Sequence, residues 1–313
     1  MSRVGGQERP GRPPLELRLL GPFELRQGDA IIPLPRRKNR LVLAALALRA
    51  QRSVPAEVLI GELWGEIPPR TAREALHNYV SQLRKEIGPE ALQTREHGYL
   101  LAFDPERVDV VRFERLLSDA RTADSVGDRA AKLQEAVGLW RGPPLADLSL
   151  APFALRERHR LQELYVDARE ELIDAELQCG SAARLIAELE SLVAEHPLRE
   201  RLTGHLMLAL YRSGRQADAL ELYRRTHRTF VELLGISPGP GLKRLEQAIL
   251  CHDASLERSA EDASGGLQPW PELRRVVAER LVGQADALLS ALGEAADRAR
   301  RALAGWQREP SGT

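Results

Sequence analysis

TAREALHNYVSQLRKEIG, residues 71–88, has the spacing of a helix with two unlike faces. Leu76, Val80, Leu83 and Ile87 recur at steps of four, three and four, which at about 100° per residue stacks them on one side. That side belongs to a core. The opposite side carries Arg70, Glu74, Asn78, Ser81 and Lys85, with Arg73, His77 and Arg84 on one shoulder and Thr71 and Gln82 on the other. Side chains of these kinds match the major groove, where Arg pairs with guanine, Asn or Gln with adenine, and Glu accepts from cytosine. On this helix alone a plain solvated face remains an equal alternative. Pro68-Pro69 before the helix and Gly88-Pro89 after it set its limits, since proline suits a first turn and cannot continue a helix.

Working outward, Leu15 to Leu34 alternates and turns, LELRLL, Gly21-Pro22, FELR, Gln27-Gly28-Asp29, AIIPL, and so predicts short antiparallel strands. A mostly buried helix is expected from near Arg36, with Leu41, Val42, Ala45, Leu46 and Leu48 inside. Arg36, Arg37, Lys38 and Arg40 at its start could grip phosphate or form a solvated turn. Pro55 opens a second helix with Val58, Leu59, Leu63 and Trp64 on its apolar side. After the third helix, Ala91 to Phe103 reads as a hairpin around Glu96-His97-Gly98, placing Thr94, Arg95 and Tyr99 beside its tip.

Strands, three helices and a closing hairpin make a winged helix-turn-helix over residues 15–103. In that fold the third helix enters the major groove and the hairpin lies along the DNA backbone. Charge fits: residues 1–103 carry 16 basic and 11 acidic side chains, while 104–250 carry 21 and 24, and 251–313 carry 8 and 10. One module is suited to phosphates and the others to protein.

From Val110 to His252 the pattern is helical, with a repeat. Pro197 follows Gly180 by 17 residues and Gly214 follows it by 34, the tetratricopeptide period, with Ala219 and Tyr223 at packing positions. Gly127 and Pro144 repeat the 17-residue offset, so three helix pairs are expected, with residues 153–179 as a long helix. On this reading Arg141 to Pro152 is an insertion that loops out. The fold class expected is mainly α with a small β component: winged helix, tetratricopeptide-like array over 104–252, and a C-terminal helix. Residues 1–14 read as a disordered leader and 253–270 as a linker. Over 271–307, Leu273, Val277, Leu281, Leu288, Leu292, Ala299, Leu303 and Trp306 form an amphipathic stripe. That helix is either a strut packed on the array or a coiled coil seeking a partner, with self-association favoured.

Residues 15–252 resemble the Streptomyces antibiotic regulatory protein family, with an OmpR/PhoB-type winged helix and a bacterial transcriptional activation domain. The shared words are RLLGPFEL, RLVLAALAL, Leu63-Trp64, YVSQLRKEIG, Gly98-Tyr99-Leu100-Leu101, LWRGPPLADL and LLGISPGPGLKRLEQAIL; Ser237 departs from an acidic residue common in the family. The resemblance implies a transcriptional activator of antibiotic genes that binds direct repeats near the −35 element as two or more copies. It also implies contact with RNA polymerase, σ factor included. A repressor of the same architecture and a protein-binding adaptor are the rival readings.

Other chemistry finds no support in the motifs. GxxxxGK[ST], HExxH, GxSxG and CxxC are absent, and no cofactor or enzymatic activity is expected. His77, His97 and His227 read as packed, solvated or DNA-adjacent. Cys179 and Cys251 read as inert and compatible with a reducing cytoplasm. Leu41 to Leu48, the longest uncharged run near the start, is too short to span a bilayer, so no membrane partner is expected.

Overall fold

The computed structural model describes residues 13–148 and 151–257. Strands β1 (Leu15–Arg18), β2 (Glu24–Gln27) and β3 (Ala30–Ile32) form an antiparallel sheet in that order. Leu17 faces Leu25 across the first pair, and both are buried. Three helices follow, α1 (Arg37–Ala47), α2 (Ala56–Trp64) and α3 (Ala72–Ile87). The hairpin comes next, β5 (Leu92–Arg95) and β6 (Gly98–Leu101).

A strand that the sequence reading did not anticipate, β4 (Ser53–Pro55), pairs with β6 on the side away from β5. Three residues are too few to show alternation, and Pro55 reads equally as a helix start. Pro55 in fact ends β4 and caps α2, its missing N–H costing the helix nothing. On α2 the buried positions are Ala56, Leu59, Glu62 and Leu63, whereas Val58, expected inside, is 41% exposed. Glu62 takes the inner place because Arg49 Nη2 donates to it at 2.5 Å, so its charge is partnered where it is buried.

The remaining helices are α4 (Asp109–Arg121), α5 (Val126–Gly138), α6 (Pro152–Gln178), α7 (Ala182–Glu195), α8 (Glu200–Arg212), α9 (Gln216–Leu234) and α10 (Pro240–Leu250). Gly180 and Gly214 adopt φ of +84° and +75° just after α6 and α8, a left-handed conformation cheap only for glycine. The 34-residue step therefore marks two equivalent turns. Gly127 does not extend the series, because it lies inside the first turn of α5, whose N-terminus Ser125 caps through Asp128 N at 3.0 Å. The 27-residue α6 packs on α5 at one end and on α7 and α8 at the other.

Arg141 to Pro152 does not loop out. Leu145 and Leu148 are fully buried, and Leu145 holds a left-handed φ of +52° to put its side chain there. The segment clamps the turn between β1 and β2. Arg141 N donates to Leu20 O at 2.8 Å and Leu145 N to Leu19 O at 2.9 Å, while Asp147 accepts from Phe23 N and from Arg40, both at 2.9 Å. Arg141 also reaches Glu24 at 2.6 Å. The stretched repeat period suggested an insertion that loops out, but the two leucines between prolines were the signal of burial.

A second joint lies at Asp109, which accepts from Leu19 N at 2.7 and 2.8 Å and from Leu20 N at 2.9 Å. Beside it Leu17 and Val108 form a parallel bridge. One core accordingly runs from Leu17 through α3 to Leu172, and a second from Val166 to Leu256. Ala254–Leu256 forms a 3-10 turn with Leu256 buried, so the segment expected to be a linker from Asp253 onward starts as ordered chain. Most of the linker, the 271–307 stripe and nearly all of the 1–14 leader lie outside the described residues.

Candidate nucleic-acid interface

The stripe of α3 is buried as its spacing requires: Leu76, Val80, Leu83 and Ile87, joined by Ala72. Its first turn carries Glu74 and its last Arg84 and Lys85, the charge order that suits the helix dipole. The opposite face is left to solvent. Arg70, Thr71, His77, Asn78, Ser81 and Lys85 are exposed, and no side-chain partner holds them among the described residues. A shallow depression beside α3 is lined by Ala56, Arg73, Glu74, Leu76, His77, Asn78 and Tyr99. It brings four predicted residues, Arg73, His77, Asn78 and Tyr99, from the helix and the hairpin to one place. Arg73 is ion-paired with Glu57 at the start of α2, a partner invisible to helical spacing because it comes from another element.

Several expected contacts are committed to the fold instead. Arg84 Nε donates to Leu92 O at 2.8 Å and its Nη2 to Thr94 Oγ1 at 2.6 Å, so Arg84 and Thr94 tie the hairpin to α3. Rotation about the α3 axis placed Arg84 on an open shoulder, but the chain returns there as β5. Lys38 Nζ donates to Leu63 O at 2.7 Å and lies 4.7 Å from the centre of the Trp64 ring, which itself stacks on Tyr79. Burial, followed by the Arg37 charge, lowers the Lys38 pKa, as expected for an ammonium drawn into the protein. Arg40 is held by Asp147, and Gln82 accepts from the buried Asn39 at 3.2 Å. Of the basic cluster, Arg36 is exposed and Arg37 half-buried.

At the hairpin tip Arg95 is exposed, its Nη2 donating to neutral Gln93 at 2.6 Å, so the charge stays available. The tip is anchored rather than free. Ala56 N donates to His97 O at 3.0 Å, and Gly98 pairs with both Pro55 and Arg95. Of the cations expected at the interface, Arg36, Arg37, Arg70, Lys85 and Arg95 are therefore the least engaged by the fold, and no opposing carboxylate pairs with them among the described residues. A helix with an open polar face, a β-hairpin at its side and a surplus of uncommitted cations defines a winged-helix DNA-binding regulator.

Comparison with known proteins agrees. Residues 32–101 match the family model "Transcriptional regulatory protein, C terminal", and residues 108–250 match "Bacterial transcriptional activator domain". Regulatory protein DnrI of Streptomyces peucetius is 35% identical over 79% of this chain and 96% of its own length. Regulatory protein AfsR of Streptomyces griseus is 38% identical over 83% of this chain, which spans about a quarter, 27%, of that relative. A solved structure of Mycobacterium tuberculosis EmbR, in complex with a low affinity phosphopeptide, superposes with a TM-score of 0.73 at 36% identity, covering 78% of this chain and 68% of that one. The chain belongs to the Streptomyces antibiotic regulatory protein family of transcriptional regulators. Among the described residues no group of His, Cys, Asp and Glu could hold a metal, and no helix is long and apolar enough to cross a membrane.

Proposed function

We propose that this chain is a sequence-specific DNA-binding activator in the bacterial cytoplasm, acting on a secondary-metabolite gene cluster. The open face of α3 carries the proposal: Asn78, Ser81 and Lys85 are exposed and unpartnered on a helix whose other face is fully buried. Asn78 reads a base edge, His77, Ser81 and Thr71 lie beside it, and Lys85, Arg70, Arg36, Arg37 and Arg95 hold phosphates. Arg73 and Tyr99 line the edge of this surface.

One winged helix covers too few base pairs to be unique among the competing sites of a genome, so two or more copies bind. A head-to-tail pair on direct repeats near the −35 element needs no two-fold axis. The helical array then reaches RNA polymerase or its σ factor and adds to binding without any chemistry. Family membership and the match of residues 108–250 to an activator domain support this.

Selection of bound duplexes from random DNA tests the reading. Full chain should enrich a repeated half-site in one orientation, and Asn78→Ala should relax preference at one or two positions by about 1–3 kcal/mol. A palindromic site would overturn the tandem arrangement, and no enrichment at all would overturn sequence-specific binding.

A further inference from the structure

Helix α9 ends in a turn that is apolar almost all round. Phe230 points into the protein, yet Val231, Leu233 and Leu234 around it, and Ile236 just past the left-handed Gly235, are 46%, 65%, 48% and 51% exposed. A helix that is apolar on every side is normally covered on every side, and four adjoining exposed aliphatic residues far exceed the scattered single ones of an ordinary surface. Leu233 stands eleven residues beyond Leu222, about three full turns, and so on the same side of α9. Leu222 lines an open groove between α7, α8 and α9, together with Val193, Leu206 and Leu210. The exposed turn prolongs the apolar floor of that groove.

The chain itself contains a segment that could cover this surface. After α10, Leu256 O accepts from Arg212 Nε at 2.7 Å, which fixes residue 256 at the C-terminal end of α8 and so near the start of α9. From there to the exposed turn is about the length of α9, some 19 residues or about 28 Å. The sixteen steps from Glu257 to Leu273 can extend to about 50 Å, which is more than enough. Beyond them runs the stripe of Leu273, Val277, Leu281, Leu288, Leu292, Ala299, Leu303 and Trp306. Such a stripe gains helical stability mainly from an apolar surface to pack on. An apolar surface on the array that no described residue covers and an apolar stripe in the sequence of the same chain, within reach, are complementary.

We propose that residues 271–307 fold back as a strut along α9 and cover Val231, Leu233, Leu234 and Ile236. The strut alternative of the sequence reading is thereby preferred to self-association.

Hydrogen exchange on the full chain tests this, with light scattering to report its mass. The double variant Leu288→Glu, Leu292→Glu should speed exchange of the amides over 231–236 by about tenfold or more, at unchanged mass and independently of protein concentration. The reciprocal variant Leu233→Glu, a change at an exposed position that spares the buried core, should speed exchange over 271–307. Unchanged exchange in both variants would overturn the proposal. So would protection at 231–236 that is lost on dilution, since a second copy would then be the cover.

Discussion

Asp109 brings a carboxylate into the joint between β1 and α4, and its surroundings work against each other. Burial raises its pKa from the ordinary 3.8 to about 6, against the pull of the Leu20 and Leu19 amides and of the Arg141 charge. Between those two values the folded chain holds a proton that the unfolded chain has released, so stability falls as pH rises through the window and levels above about 6. His205 has the opposite sign. It is buried, its pKa is lowered to about 4, and the stability of its neutral form is present above 6.5 and lost as pH falls toward 4. The overall pH profile therefore blends opposed slopes, and a comparison of the parent with a variant at Asp109 alone isolates that group. Asp109→Asn, which cannot titrate, should be less stable than the parent, and the gap should widen by about 2 kcal/mol from pH 7 to pH 4.5 in urea unfolding. A gap independent of pH would mean that the carboxyl is unperturbed. A second comparison separates neighbours on α3. Arg84→Ala removes two bonds to the hairpin and should cost about 1–2 kcal/mol of stability along with DNA affinity. Lys85→Ala, exposed and unpartnered, should weaken binding to all duplexes and flatten the salt dependence while leaving the unfolding midpoint unchanged. Equal melting of the two variants would remove Arg84 from its tethering role.

At the scale of elements, the hairpin is built into a three-stranded sheet, because β6 pairs with β4 as well as with β5. From the sequence, deleting Glu96 to Gly98 is expected to spare stability, as for a free loop. The third strand β4 alters that expectation. A Cβ at Gly98 would lie 2.0 Å from Val54 O and 2.8 Å from Pro55 Cα, both rigid backbone. Gly98→Ala should therefore cost about 2–3 kcal/mol or more and loosen β4 and the start of α2, whereas Glu96→Ala, at the exposed tip, should melt like the parent. Thermal unfolding of the pair checks this, and equal midpoints would mean that the strands part easily. What the sequence made legible follows from period and length. Helix α3 came within one residue of its bounds, because its stripe and its flanking Pro and Gly agree, and α6 was likewise found within one residue. A strand of three residues has no period to read, and β4 was missed. Which polar residues of α3 face solvent was legible from rotation; which of them another element captures, as Leu92 and Thr94 capture Arg84, was not, since that depends on where the chain returns.

At the scale of the molecule, two cores meet on one helix. Leu161, Ala168 and Leu172 of α6 belong to the core that runs back through the winged helix to Leu17, and Val166, Ile173 and Leu177 to the core of α7–α10. The core of the winged helix thus continues into α4, α5 and α6. Its first sheet depends on Asp109, Arg141, Leu145 and Asp147, all beyond residue 103, for backbone partners that would otherwise be left in an opened core. A fragment ending at Phe103, the natural choice for separating DNA binding from activation, should accordingly unfold well below the full chain or fail to fold. Its loss of operator binding would then say nothing about the activating role proposed for the helical array. Within the full chain the same architecture predicts unequal consequences of equal substitutions. Leu148→Ala removes a fully buried side chain from the segment that clamps the β1–β2 turn, and should cost about 2–5 kcal/mol. Leu206→Ala, in the second core, should cost a comparable amount. Hydrogen exchange followed by fragment analysis should show faster opening from β1 to α5 for Leu148→Ala with α7–α10 spared, and the reverse for Leu206→Ala. If one half docks on DNA and the other on protein, as proposed above, α6, which contributes to both cores, is the element that links them. If Leu148→Ala instead opened α9 as much as α3, the two cores would be one, and α6 would be an interior helix like any other.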